Sequence, residues 1–213
     1  IVKKKEFTIY ILDNFSNSNI KNLDIALSNT GKLKKISINE REVKTKVGKS
    51  YIKIIKGDIE NKIALKKIRK SFYCIIHLAA QTGVIPSIKN PVQDMKINLE
   101  GTLNLLEFAR KLKIRRFIFS SSMGVLGGSK RQTEDSILTP LNPYAAGKCS
   151  IENYLKVYKE LFGLETFILR FSNIYGPFFW MKDNVVSKFC KNLFLGNKIQ
   201  IRGDGNQSRD FLE

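Results

Sequence analysis

A chain of 213 residues with a hydrophobic fraction of 43% is long enough for one large α/β domain, or for a domain and part of a second, which excludes the disordered class. The 37 Lys and Arg against 19 Asp and Glu give a formal charge of +18, but they occur singly or in short clusters such as Lys3, Lys4 and Lys5 or Lys66 and Lys67. Without aromatic interleaving this pattern reads as solvated faces, so no nucleic-acid partner is expected, and no apolar run approaches the roughly 18 residues that cross a bilayer, so no membrane partner is expected either.

Cys74, Cys149 and Cys190 are odd in number and widely spaced, forming neither a disulfide framework nor a CxxC metal motif. They read as thiols of a reducing, cytoplasmic compartment. His77 is the only histidine, which excludes a zinc site built on several histidines, and no metal is expected. It ends an apolar run, where a satisfied structural histidine is the favoured reading over a catalytic one.

In chain order, the sequence starts at Ile1 rather than Met and stops at Glu213 inside what reads as a new strand, so a piece of a longer polypeptide is expected. Strands are predicted at Phe7 to Leu12, Tyr51 to Ile55, Phe72 to Leu78, Arg116 to Ser120 and Glu165 to Phe171. Residues 30 to 50, polar and irregular, are expected to form a loop or a variable excursion before the next strand. One helix is predicted from about Pro91 to Lys113, with Leu99, Leu103, Leu106 and Ala109 on one face, and another from Pro143 to Phe162, opened by proline and closed at Gly163. The alternation of strand and helix predicts an α/β fold with a doubly wound parallel sheet. After Phe171 it weakens into Asn173 to Pro177, a helix from Asn184 to Leu195 and the turn Gly203-Asp204-Gly205, the beginning of a smaller domain. The expected division is therefore 1–171 and 172–213.

Two signals carry chemistry. Asp13 follows the first predicted strand, where a dinucleotide-binding sheet places an acid that accepts hydrogen bonds from the adenine ribose and repels a 2′-phosphate, favouring NAD over NADP; an aspartate that merely caps a turn explains it equally well. The glycine-rich phosphate turn belongs about 20 residues upstream of such an acid. Only twelve residues precede Asp13, none is glycine, and Gly124, Gly127 and Gly128 come too late, so the first strand and its turn are expected to lie outside this sequence. The stronger signal is Tyr144 and Lys148, which at i and i+4 share one helix face. A phenol with a pKa of about 10 is a poor base at neutral pH, and an adjacent ammonium favours its ionised form. The pair follows Ser120-Ser121-Ser122 and a loop with Pro140 and Pro143, an order that chance rarely produces.

With these residues the chain resembles the extended short-chain dehydrogenases, above all the UDP-hexose 4-epimerase group with its Rossmann-type fold. The resemblance runs through Leu12 to Ser16, Gly57-Asp58-Ile59, His77 to Gln81, Asn98 to Thr102, Phe119 to Ser122, Pro143 to Lys148, Arg170 to Pro177 and Gly203 to Phe211. It implies NAD as cofactor, with 1–171 as the NAD-binding domain and 172–213 opening the nucleotide-sugar domain. Asp13, Asn17 and Ser18 would face the adenosine ribose, Asp58 and Ile59 the adenine, and Ala79, Ala80 and Gln81 would pass under the cofactor on a loop supported by Asn98. Ser122 would bond the sugar hydroxyl being oxidised, Tyr144 would be the base, and Lys148 would hold the nicotinamide ribose and lower the phenol's pKa. Asn173 and Arg209 would meet the substrate diphosphate, although on their own they read as a loop hydrogen bond and a surface charge.

The implied reaction is epimerisation of a UDP-linked hexose at C4 through a transient 4-keto sugar, with a homodimer as a candidate assembly. The alternatives are a 4,6-dehydratase or decarboxylase of the same fold, and a fragment without turnover. Met123 and Gly124 stand where dehydratases resemble one another in carrying acids, which favours the epimerase; Glu134 and Asp135 read as a solvated pair. Two departures from the family pattern are Leu126, where a tyrosine is common and the pocket wall would change, and Gly147, where a serine is common and a helix-interior glycine costs about 1 kcal/mol.

Overall fold

The computed structural model describes residues 8–27, 31–35, 40–45, 51–66, 68, 70–128, 132–176, 184–201 and 203–212. Ile1, Lys3, Lys4, Lys5, Phe7, Lys67, Pro177 and Glu213, named above, lie outside them. The chain divides into two compact units at Ala64 and Leu65.

In the first unit, β1 (Thr8–Asp13) pairs in parallel with β4 (Tyr51–Lys56), Thr8 opposite Tyr51 and Asp13 opposite Lys56. The crossover between them contains α1 (Ile20–Leu27). Isoleucines at alternate positions place Ile52 and Ile54 in the core, packed with Ile9, Ile11, Phe15 and Ile20. Residues 30 to 50 depart from the expected loop. Gly31–Lys35 (β2) and Glu40–Thr45 (β3) form an antiparallel pair that extends the sheet in the order β1-β4-β3-β2. β2, Gly-Lys-Leu-Lys-Lys, lies at the sheet edge, where charge deters further pairing, and β3, Glu-Arg-Glu-Val-Lys-Thr, is polar too, so the apolar signal used to find strands is missing. The turn after β4 is tight: a Cβ on Gly57 would come within 2.9 Å of Leu12 Cδ1.

The second unit is built on a parallel sheet ordered β5 (Cys74–His77), β6 (Arg116–Ser122), β7 (Glu165–Phe171). Between β5 and β6 run two short helices, α3 (Val84–Lys89) and α4 (Pro91–Met95), a π-helical turn (Lys96–Glu100) and α5 (Gly101–Lys111). The predicted single helix from Pro91 is thus interrupted, the Gly101 amide reaching back five residues to Lys96 O. Leu106 and Ala109 are buried as expected, but Leu99 and Leu103 are only half-buried, and the buried positions upstream are polar: Asp94, Asn98 and Thr102. A π turn rotates the face presented to the core, and such turns concentrate at functional sites.

Helix α6 (Pro143–Phe162) has the predicted bounds for local reasons. Asn142 Oδ1 accepts from the Ala145 amide at 2.9 Å, Pro143 occupies the first turn, and Gly163 closes the helix at φ 66°. Its buried face is Ala145, Lys148, Ile151, Glu152, Leu155 and Tyr158, set against a core that includes Phe117, Phe119, Leu106 and Leu126. Beyond β7, Asn173–Ile174 (β8) pairs in parallel with Phe211–Leu212 (β9), and α7 (Val185–Phe194) is capped by Asn184, whose Oδ1 accepts from the Ser187 amide at 2.8 Å. No helix of the described residues is long and apolar enough to cross a membrane.

Candidate active site

The C-terminal end of β6 and the first turns of α6 meet at Ser120, Ser122, Tyr144 and Lys148. Lys148 is 3% exposed. Its Nζ donates to Ser120 O at 2.8 Å and lies 4.6 Å from the Phe119 ring centroid and 5.8 Å from that of Tyr144. Burial brings the ammonium down to about 8, against an upward pull from Asp94. Ser122, the cap of the 3-10 turn Met123–Leu126, accepts from the Gly124 amide at 3.1 Å, and its hydroxyl pulls the Tyr144 phenol downward. The sequence expectation of a phenol lowered by Lys148 is not met. Tyr144 stands above its ordinary value, because burial outweighs the downward pull of the Ser122 hydroxyl and the Asp94 charge adds a smaller rise, while the ammonium is turned toward Ser120 O.

Asn98 supports the loop after β5, as expected. Its Oδ1 accepts from the Gln81 amide at 2.9 Å and its Nδ2 donates to Gln81 O at 3.1 Å and to Asp94 Oδ1 at 3.2 Å. Ala79, Ala80 and Gln81 lie in an irregular segment that Asn98 anchors at Gln81. The buried Gln81 Oε1 has no hydrogen-bond partner among the described residues, an acceptor that would cost about 1–3 kcal/mol if left unpaired and that suits a ligand donor.

His77 is structural. It is 3% exposed between Phe117 and Phe119. Thr102 Oγ1 donates to Asn98 O, so the 2.8 Å contact from His77 Nε2 is a donation to the hydroxyl. Burial, with Lys148 adding to it, pushes the imidazole from 6.5 down to about 3. The folded state therefore keeps His77 neutral while the unfolded chain protonates it below about pH 6.5. Its contribution to stability is complete above that pH and is lost as pH falls toward 3, by about 1.4 kcal/mol per unit. Urea unfolding at pH 7 and pH 5 checks this: the expected fall is several-fold larger in the native chain than in His77→Gln, and equal falls would refute it.

In the first unit, Asp13 ends β1. Its Oδ1 accepts from the Phe15 amide at 2.7 Å and from Ser18 Oγ at 3.3 Å, holding Phe15 in the left-handed region at φ 57°. The turn-capping reading of Asp13 is thus realised. Asn14 Nδ2 donates to Asp58 Oδ2 at 2.8 Å and the Glu60 amide to Asp58 Oδ1 at 3.0 Å, so the two acids that the resemblance assigns to adenosine lie on neighbouring turns. Asn17 is exposed and Ile59 is buried.

Asn173 Nδ2 donates to Asp210 O at 3.1 Å, and Arg209 is exposed, its Nη1 on Ser208 O at 2.8 Å. The β8–β9 pair sets Asn173 opposite Phe211, two residues beyond Arg209. Leu126 does not form a pocket wall: it is 2% exposed and packed in the core, its carbonyl accepting from Thr139 Oγ1 at 2.9 Å. Glu134 and Asp135 are exposed, as expected. Among the described residues no cluster of His, Cys, Asp or Glu could hold a metal.

Sequence reasoning missed two groups. Glu152, fully buried one turn beyond Lys148, accepts from Ser121 Oγ at 2.6 Å and pairs with Arg170 at 2.8 Å; Asp94 is buried four residues before Asn98. The available signal was a charged residue at a core-facing position, Lys148 plus four and Asn98 minus four.

Comparison with known proteins follows the same architecture. The model of the NAD dependent epimerase/dehydratase family matches residues 4–213. A candidate UDP-glucose 4-epimerase of Methanocaldococcus jannaschii is 40% identical over 164 residues, 74% of this chain and 54% of that protein. Among solved structures, UDP-glucose 4-epimerase of Thermotoga maritima with UDP-glucose aligns with a TM-score of 0.77 and 28% identity, over 96% of this chain and 61% of that one. The dTDP-glucose 4,6-dehydratase DesIV of Streptomyces venezuelae, with NAD and TYD bound, aligns with a TM-score of 0.80 and 25% identity, over 99% and 60%. The chain thus spans between half and two thirds of the length of these relatives. On the family match, the parallel sheet and the order of its motifs, the chain belongs to the NAD dependent epimerase/dehydratase family.

Proposed function

We propose that the chain supplies the catalytic part of a nucleotide-sugar 4-epimerase, acting on a UDP-linked hexose through a transient 4-keto sugar. The observation that carries this reading is the meeting of β6 and α6, which sets the buried ammonium of Lys148 on Ser120 O at 2.8 Å and 5.8 Å from the Tyr144 ring centroid, with the Ser122 hydroxyl near enough to act on the phenol. NAD, when bound, supplies a two-electron acceptor that is regenerated within the catalytic cycle. Residues of the second unit fit it: Asn98 anchors the segment after β5 at Gln81, and Gln81 Oε1 is an acceptor in need of a donor, while the resemblance assigns Asp13 and Asp58 of the first unit to the adenosine. Ser122 orients the 4-hydroxyl, Tyr144 takes its proton, and Lys148 holds the nicotinamide ribose. Asn173 and Arg209 bind the diphosphate, in a nucleotide-sugar domain that begins at residue 172.

The dehydratase alternative requires acid–base groups for C5 and C6 as well. The 3-10 turn after Ser122 opens with Met123 and Gly124, which carry no exchangeable proton, and a Cβ on Gly124 would come within 3.3 Å of Ser122 Oγ, tighter than ordinary contact. An acidic side chain there would crowd the catalytic serine. The deciding experiment incubates the complete protein with NAD and UDP-linked hexoses and follows products by NMR. An equilibrium mixture of C4 epimers is expected; a 4-keto-6-deoxy sugar would establish the dehydratase instead.

A further inference from the structure

Lys148 is a buried cation, and a buried cation requires a counter-charge or it gives up its proton. Its hydrogen-bond partner, Ser120 O, is neutral. Glu152, one turn further on α6, is already engaged by Arg170 and Ser121. Asp94, on the helix α4 that packs against α6, is different: it is 2% exposed, and one oxygen accepts from Asn98. Its other oxygen, Oδ2, faces the backbone of α6 at Gly147, where a Cβ would lie at 3.8 Å. The residue at 147 lies between Tyr144 and Lys148 in sequence, and its lack of a side chain leaves that helix face open to the carboxylate.

We propose that Asp94 is a positioning residue of the candidate active site: its carboxylate, held by Asn98 against the Gly147 turn, is the counter-charge that keeps Lys148 an ammonium beside Tyr144. The same Asn98 clamps Gln81, so one buried side chain ties this counter-charge to the loop that the proposed function assigns to the cofactor. The charged and titratable groups facing this pair are Tyr144 on α6 and His77 on β5, the latter neutral. Asp94 raises Lys148, and it raises Tyr144, since a carboxylate favours the protonated form of both. Removing its charge therefore moves both groups down.

The direct test does not depend on the proposed reaction. Lysine is labelled at Cε in the chain and Lys148 is titrated by NMR, in the native sequence and in Asp94→Asn, which still accepts the Asn98 hydrogen bond. The native midpoint is expected near 8, and the variant's about one unit lower, with Asp94→Glu restoring it. An unchanged midpoint in folded Asp94→Asn overturns the proposal. Should that variant not fold, the Asp94 carboxyl carbon of the native chain is followed instead: a shift at the Lys148 midpoint supports the coupling, and a flat trace overturns it. In the complete protein, both limbs of the kcat/KM profile move to lower pH in Asp94→Asn, so the loss is concentrated above about pH 7. An equal loss at every pH means a merely structural role and also overturns the proposal. Absence of turnover in every form, with the NMR shift present, supports the role of Asp94 and counts against the epimerase reading.

Discussion

Tyr144→Phe is expected to lower the turnover of the complete protein on a UDP-linked hexose by at least about 100-fold, the scale of a removed acid–base group. The substitution keeps the ring on the first turn of α6 and deletes only the hydroxyl. Its effect on stability should be near the about 1 kcal/mol of one net hydrogen bond, so a thermal melt close to that of the native protein separates chemistry from folding. The phenol lies above its ordinary value, with burial the largest cause. The proposed proton transfer from the 4-hydroxyl therefore depends on the field at the site when the reaction occurs, and Lys148, 5.8 Å from the ring centroid, is the cation at hand. Rates are measured by NMR detection of the C4 epimer at saturating substrate. A variant with near-normal turnover would remove Tyr144 from the mechanism.

The largest stability effect is expected at Arg170. Glu152 is fully buried in the face of α6 that packs on the sheet, and Arg170, at the end of β7, meets it with Nη2 at 2.8 Å and Nε at 3.2 and 3.3 Å from its two oxygens. Arg170 Nη1 also donates to Glu134 O at 2.8 Å, which ties the loop after the 3-10 turn to the same cation. Arg170→Ala leaves a carboxylate in the core with Ser121 Oγ as its one donor among the described residues. The expected loss is about 3–5 kcal/mol, because the desolvation of a buried charge is then uncompensated. Replacing both partners by leucine removes the charge as well as its mate, and most of the loss should return. Urea unfolding of the three chains decides it, and a loss below about 1 kcal/mol in Arg170→Ala would mean that water reaches Glu152.

The elements that were legible in the sequence are those whose causes are local. Helix α6 carries its own start and stop in Asn142, Pro143 and Gly163, and β7 is a continuous run of β-branched, aromatic and other large side chains that follows Gly163. Tyr144 and Lys148 share a face because 3.6 residues make a turn, so their pairing required no knowledge of the sheet. The hairpin of Gly31–Lys35 and Glu40–Thr45 was not legible, since its strands are polar and it is pairing to β4 that makes them strands.

The remainder of the site was decided by tertiary structure. Hydrophobic periodicity assigned Leu99 and Leu103 to the buried face, whereas the π turn at Lys96–Glu100 delivers Asp94, Asn98 and Thr102 there instead. Whether a polar side chain can be buried depends on partners that the local sequence does not contain: Gln81 for Asn98, His77 for Thr102, Arg170 and Ser121 for Glu152. The local sequence determined the parallel α/β framework and the residues suited to proton transfer. The charge and the carbonyl that set the protonation of Lys148, Asp94 and Ser120 O, lie 54 and 28 residues before it in the sequence, and only the packing of α4 on α6 and of α6 on the sheet brings them together, because a buried polar group is stable only where its donors and acceptors are already in place.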